Sequence, residues 1–446
     1  MTSRIAVRRS APWLGLVVSL VLVLMAFGAP HVFGLEVASR APRNASPNEV
    51  PPLHGLWQPQ LFGPGTLPAV VIGLLGWRYA ADLADRLPWR RLLVASYAGS
   101  LAWLLSLAFV DGRSGISRVL GNPYEYLQTA RSVGSVSHLI DTYISRIPYS
   151  ASDNWPTHVA GHPPATLLFF VGLDRVGLGG DFAAGLVVTA LAASTAAAVL
   201  VTLRALGAEQ WARLAAPFLV LTPAAVFMAV SADALIGAVV AWGLACLALA
   251  TRRLWWAVPA GLLLGTAVMM SYGMPLVGLL AVAVLVAARS WRPLPVAGAA
   301  ALAVVLGFAA LGFAWWDAYP VLRERYFDGI ASDRPQSYWW YGDLACLVVS
   351  AGPLLLPGVF AAGAAAVSAV RRTASTVLLL VGAIVVVVAA ADASGMSKAE
   401  VERIWLPFVP WLTLSFVLLP ERWRRWGLGA QVVAALVVQH LFYTAW

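Results

Sequence analysis

Continuous apolar stretches of about 20 residues recur from Trp13 to the C-terminus, each bounded by a short polar turn. Apolar and polar positions do not alternate with period two inside these stretches, so the pattern predicts membrane helices and excludes a membrane β-barrel. Arginine-rich clusters punctuate them at Arg86 to Arg91, Arg204 to Arg213, Arg252-Arg253, Arg289 to Arg292, Arg371-Arg372 and Glu421 to Arg425. Cytoplasmic loops carry such an excess of basic residues, which places these clusters inside, together with Arg4, Arg8, Arg9 and the N-terminus. The long loop Asp111 to His162 then faces outward. So do the polar turns at Ser231-Ala232-Asp233, Ser271-Tyr272-Gly273, Trp315 to Tyr341 and Asp392 to Arg403. The count is about 13 full spans plus one short helix after Pro164, whose ends both fall on the outer side and which reads as re-entrant or interfacial. The apolar stretch from Trp13 to Phe33 is too long for a signal peptide and reads as a retained span.

Composition narrows the class further. Of 446 residues, 60% are hydrophobic and only 11% charged, which leaves no polar face for a soluble domain. The fold class is an all-α polytopic membrane protein of the plasma membrane. Residues 1–90 form two N-terminal spans with a Pro-rich outer loop from 35 to 65, residues 91–420 a transmembrane core, and residues 421–446 a final span. The net charge of +9 is distributed as Arg pairs between apolar runs, which suits anionic lipid as partner and argues against nucleic acid. Cys246 and Cys346 lie within apolar segments and read as small buried hydrophobes.

Chemistry concentrates in the outer loop. Residues 111 to 162 hold Asp111, Glu125, Asp141, Asp153, His138, His158 and His162, the densest set of ionisable groups in the chain. Pro163-Pro164 suits the first turn of a helix, where a missing N–H costs nothing, so His162 stands at a helix entrance. Glu125, beside Tyr126, falls in the first turn of a short helix after Pro123, where the helix N-terminus favours its anion. It is a plausible general base, or else it caps the helix or pairs with Arg131. Asp111 is a helix exit or a second candidate base. His158 and His162 are four apart, but Gly161 before two prolines argues against a helical zinc pair. A divalent cation held by carboxylates beside His162 is left open, with no cofactor otherwise indicated.

A second constellation opens the penultimate span at Ser397 to Pro410. Lys398 and Arg403 suit phosphate binding, with Glu400 or Glu402 holding Arg403 in place; the alternative is an interfacial anchor. Arg334 belongs to an aromatic and charged loop, Trp315 to Tyr341, suited to a sugar ring or a head group. Asp233 is either a helix N-cap or a cavity residue, with the cap preferred.

Three matches carry a resemblance: the first large outer loop with its acidic and aromatic helix, Gly161-His162-Pro163-Pro164 at the following helix, and Glu402-Arg403-Ile404-Trp405-Leu406-Pro407 late in the chain. Over roughly residues 90 to 420 the sequence resembles the lipid-linked-sugar-dependent, mannosyltransferase-like glycosyltransferases of the GT-C class, especially their actinobacterial membrane relatives. The resemblance implies transfer of a sugar, with inversion, from a polyprenyl-phosphate donor to a glycan, glycolipid or protein acceptor at the outer face. It implies Glu125 or Asp111 as base, and His158, His162, Tyr126, Lys398, Glu402, Arg403 and Arg334 as substrate-binding residues. In relatives the acid commonly lies four residues before the helix tyrosine, where this chain has Asn122. A transporter or flippase for a lipid-linked glycan, and an inactive relative, are the alternatives.

Overall fold

A computed structural model describes residues 10–39, 56–368 and 374–444. Arg4, Arg8, Arg9, the pair Arg371-Arg372 and much of the Pro-rich outer loop lie outside the described residues. Those described form helices joined by turns, with one isolated antiparallel bridge, Trp57 to Phe442, and no strand. The described residues are all-helical, with long apolar helices compatible with a polytopic membrane protein.

Among the described residues, seven helices are long and apolar enough to cross a bilayer: Ala11–Phe33, Thr66–Arg86, Trp89–Asp111, Asp181–Ala205, Ala232–Ala250, Pro293–Ala310 and Ser375–Ala393. An eighth crossing is available if the bent pair Gln336–Ala351 and Leu355–Ala366 counts as one span. Three further apolar helices among the described residues are shorter, Leu254–Val268, Met274–Ala288 and Val409–Leu418. At 1.5 Å per residue a 15-residue helix reaches about 22 Å, short of the roughly 30 Å hydrocarbon core. Proline and glycine shorten them, through Gly273 and Pro275 in one case and Pro407 and Pro410 in another. Hydropathy registers the apolar run and is blind to such breaks.

The bend between Gln336–Ala351 and Leu355–Ala366 is 100°. Gly352 there has φ of +89°, a conformation that favours glycine, and Pro353 follows it. Gln431, far away in sequence, satisfies both broken ends: its amide donates to the Ala351 carbonyl at 2.7 Å and its carbonyl accepts from Leu354 N at 3.2 Å. A broken helix inside a bilayer is tolerated where side chains satisfy the freed backbone groups in this way.

Ala232–Ala250 is the most buried of the long helices and packs against Thr195–Ala205, Asp181–Ala193 and Ala257–Val268. Ala257–Val268 in turn lies close along Pro293–Ala310, with Gly261 and Gly265 set against the backbone of Ala297 and Ala301. Small residues four apart allow such backbone approach, and dispersion between close helices replaces the hydrophobic drive that lipid removes.

The segment Asp111 to His162 folds into short helices, Tyr126–Ser132, Val136–Asp141 and Thr157–Ala160, and leads to Pro164–Arg175. Buried polar anchors fix it. The Tyr143 hydroxyl lies 2.8 Å from the Val159 carbonyl and 3.1 Å from that of His162, and Trp155 Nε1 donates to the Tyr143 carbonyl. Arg325 is buried and donates to the carbonyls of Ile147 and Trp155 from the helix Trp315–Phe327. Arg325→Met strands two buried carbonyls, each costing about 1–3 kcal/mol. Hydrogen exchange across residues 147 to 155 is expected to quicken strongly; unchanged exchange there would remove Arg325 from this role.

Candidate functional site

Four segments distant in sequence meet at one buried cluster of ionisable side chains. Glu125 is the residue before the helix Tyr126–Ser132 and has extended backbone, yet its side chain makes no cap bond. Its Oε1 instead lies 2.6 Å from His158 Nδ1. The backbone sets this up, since His158 N donates to the Tyr124 carbonyl at 3.2 Å and so draws Thr157–Ala160 against the start of the Glu125 helix. Arg131, the alternative partner from sequence, is committed to the Gly179 carbonyl and Asp181. Arg146 pairs with Asp153 rather than with Asp141.

The network continues from His158 Nε2, 3.4 Å from Arg403 Nη2. Arg403 Nη1 donates to Asp233 Oδ2 at 2.5 Å, and Arg403 Nη2 pairs with Glu400 at 3.2 Å. His162 closes the ring, with Nδ1 2.9 Å from the His158 carbonyl and Nε2 3.8 Å from Asp233 Oδ1. A carbonyl only accepts, so His162 Nδ1 carries a hydrogen. The Glu125 carboxylate likewise accepts from His158 Nδ1–H, which turns the Nε2 lone pair of a neutral His158 toward the Arg403 donor.

Burial makes these contacts matter. Glu125, Asp233 and Arg403 are each under 5% exposed. Desolvation alone would raise the Glu125 pKa, but its contact with His158, helped by Arg403 and opposed by Asp233, holds it below the ordinary 4.5. A depressed carboxylate contributes stability above its unfolded pKa and loses it as pH falls through the folded one, so the window here opens below about 4.5. In His158→Gln, desolvation loses its main counterweight. The acid limb of any Glu125-dependent activity is expected to move to higher pH, and a pH–rate profile with an unmoved limb would contradict the pairing.

Glu125 Oε2 is buried and has no hydrogen-bond partner among the described residues. Oε1 is held by His158 while Oε2 keeps an unused acceptor, a geometry from which a carboxylate can accept a proton. Tyr126 is buried between Phe170, on which it stacks with ring centroids 5.4 Å apart, and the edge of His162. Desolvation and the neighbouring carboxylates Glu125 and Asp233 raise its phenol pKa well above 10, so it stays neutral.

Arg403 is presented by an unusual backbone. Ala399 and Glu400 have φ of +62° and +61°, two consecutive left-handed residues without a glycine. Such strain costs on the order of 1–2 kcal/mol per residue and persists only where surroundings enforce it. Here Ala399 N donates to Asp343 Oδ1 at 2.8 Å, Lys398 N donates to the Tyr326 hydroxyl at 2.9 Å, and Arg334 Nη1 donates to the Lys398 carbonyl at 2.7 Å. The turn directs Glu400 between Arg403 and Arg334.

The other sequence candidates divide. Arg334 is buried, donates to the carbonyls of Ala38 and Lys398, and clamps the segment after the helix Ala11–Phe33 to the Lys398 turn. Lys398 Nζ donates to the carbonyls of Ala331 and Arg334. Both cations are therefore engaged in holding backbone. Glu402 faces Cys346 on the helix Gln336–Ala351, and Glu400 is the acid on Arg403. Asp111 lies apart from the cluster, paired with Arg118 at 2.9 Å and lining a cavity that contains none of the cluster's residues. Among the described residues no group of three or more His, Cys, Asp and Glu side chains could hold a metal ion.

Asp233 is the member that sequence reasoning underrated. The cap of its helix is Ser231, whose hydroxyl accepts from Asp233 N at 3.0 Å, leaving the Asp233 carboxylate for Arg403 and His162. The available signal was an acid in the first turn of a long apolar helix, Ala232–Ala250, where an ionisable group is expensive unless it has work to do.

No family model, curated protein or solved structure matches this chain.

Proposed function

We propose that this protein is a GT-C-like membrane glycosyltransferase that moves a sugar from a polyprenyl-phosphate donor to a hydroxyl acceptor at the outer face of the plasma membrane. The observation that carries the reading is the joining of Glu125 to Arg403 through His158 in one buried cluster. An acid with an unused oxygen and a guanidinium within one side chain of it are the two charges that substitution at an anomeric carbon requires.

In this mechanism Glu125 Oε2 takes the proton of the acceptor hydroxyl as its oxygen attacks the anomeric carbon from the face opposite the leaving group. The bond from that carbon to the phosphate oxygen breaks with its electron pair, and polyprenyl phosphate departs carrying the added negative charge. Arg403 stabilises that charge, which in a low-dielectric, preorganised site is worth several kcal/mol. The incoming phosphate competes with Glu400, the more exposed of the two acids on Arg403. Asp233 holds the guanidinium plane throughout, and His158 keeps Glu125 ionised and aimed.

The scaffold of about 13 crossings belongs to the same reading. The helices too short to span alone cross where protein or water covers their ends, which keeps Glu125, His158, Asp233 and Arg403 on the outer side. The test is incubation of purified protein with labelled polyprenyl-phosphate sugars. Consumption of donor with appearance of labelled acceptor is expected; vectorial movement of intact donor across a vesicle without consumption would instead favour a flippase.

A further inference from the structure

A polar cavity of about 430 Å³ lies away from the Glu125 cluster. Three separate segments build it: the end of the first outer loop at Gln58 to Pro64, the helix exit at Val110 to Arg118, and the C-terminal stretch Gln439 to Thr444. Its walls are fixed by backbone. Gln58 N and Gln60 N donate to the carbonyls of Leu441 and His440 at 3.1 and 2.7 Å, and Tyr443 N donates to Leu56 O at 2.9 Å. Gly65 N donates to Phe109 O, and a Cβ at Gly63 would stand 1.8 Å from the Val110 carbonyl, so the loop lies tightly against the helix exit.

The chemistry of the lining is specific. Its one acid and one cation neutralise each other, Asp111 Oδ2 to Arg118 Nη2 at 2.9 Å, and Arg118 also donates to the Thr444 carbonyl. The remaining polar groups are primary amides and hydroxyls, which both donate and accept, set beside the rings of Phe442 and Tyr443. Arg118 Nε is buried without a hydrogen-bond partner among the described residues. A phosphate or carboxylate entering would meet Asp111, and a cation would meet Arg118. An uncharged ligand rich in hydroxyls meets neither penalty, and the volume lies within the usual 300–1,000 Å³ of ligand sites.

We infer that this cavity binds a neutral sugar unit, with Asp111 and Arg118 excluding charged ones. The inference stands apart from the transfer reaction, since it concerns binding at a site that does not contain Glu125.

The test uses the full chain in sugar-free phospholipid nanodiscs and saturation-transfer difference NMR with methyl α-mannopyranoside, methyl α-glucopyranoside and methyl β-glucuronide. Wild type is expected to bind at least one neutral glycoside and to give no signal with the glucuronide. Ser114→Trp adds a large ring to the cavity lining, giving up the Ser114 hydroxyl's bond to the Asp111 backbone carbonyl while leaving both charges in place, and should weaken neutral binding by about tenfold or more, while Asp111→Asn frees Arg118 and should admit the glucuronide. Thermal unfolding of both variants confirms that they fold, and if Asp111→Asn does not, Ser114→Trp alone decides. Absence of neutral-glycoside binding in wild type overturns the inference. So does binding that Ser114→Trp leaves intact, or selectivity that a folded Asp111→Asn leaves unchanged. None of these results depends on whether donor is consumed, so failure here and failure of the transferase reading are read separately.

Discussion

Glu125→Gln is expected to lower sugar transfer by roughly 10²- to 10⁴-fold in kcat, the range that a positioned base contributes, with little change in KM. The substitution keeps shape and burial and removes only the ability to take a proton. The amide can still meet His158 through its carbonyl side, so folding should survive, and thermal unfolding of the variant in lipid provides the control. Donor consumption by wild type and variant, measured with the same labelled polyprenyl-phosphate sugar, separates the outcomes. A variant that keeps wild-type turnover ends Glu125's candidacy as base. Asp111→Asn is the matched comparison: Asp111 pairs with Arg118 at a cavity that contains none of the cluster's residues, so its loss should leave the chemical step far less affected.

The second large effect is on stability. Arg403→Met leaves Asp233 buried beside His162 with no guanidinium, and breaking such a pair from one side typically costs about 3–5 kcal/mol. Asp233→Asn should cost less, because Arg403 keeps Glu400 at 3.2 Å. The combination Asp233→Leu with Arg403→Met is expected to recover much of the loss, since no stranded charge then stays in the core. A double-mutant cycle on the thermal or denaturant unfolding free energy reads this directly. Additive losses would mean that the two side chains are energetically independent, contrary to their 2.5 Å contact. Arg403→Lys divides function from stability: the charge remains, but the planar fork that reaches Asp233, Glu400 and His158 together is gone. Transfer should fall more than stability does.

Some of this site was legible in the chain. Glu125, His158, His162 and Arg403 could be singled out because charge is scarce in a sequence only 11% charged, and Pro163-Pro164 marked the helix entrance that holds His162 in place. Their pairing was not legible. Arg131 lies only six residues from Glu125, yet Asp181, 50 residues on, takes it. Lys398, Arg334 and Arg403 look alike as basic residues near one face, but the first two are engaged by backbone carbonyls and only Arg403 reaches Glu125's partner. Glu400 and Glu402 were interchangeable until two left-handed residues turned one toward Arg403 and the other toward Cys346.

By itself, then, the sequence determined that this is a helical membrane chain and where its scarce charges lie, because bilayer solvation acts on composition over a window of about 20 residues, a local property. It did not determine which apolar runs become full-length helices, since a break such as Gly352-Pro353 is stable only because Gln431 reaches both ends of it. Nor did it determine that Asp233 belongs with Arg403 and Glu125 rather than at its own helix cap. Those choices are made by contacts between residues from 77 to 170 positions apart, and only the packed helices bring them within hydrogen-bond reach.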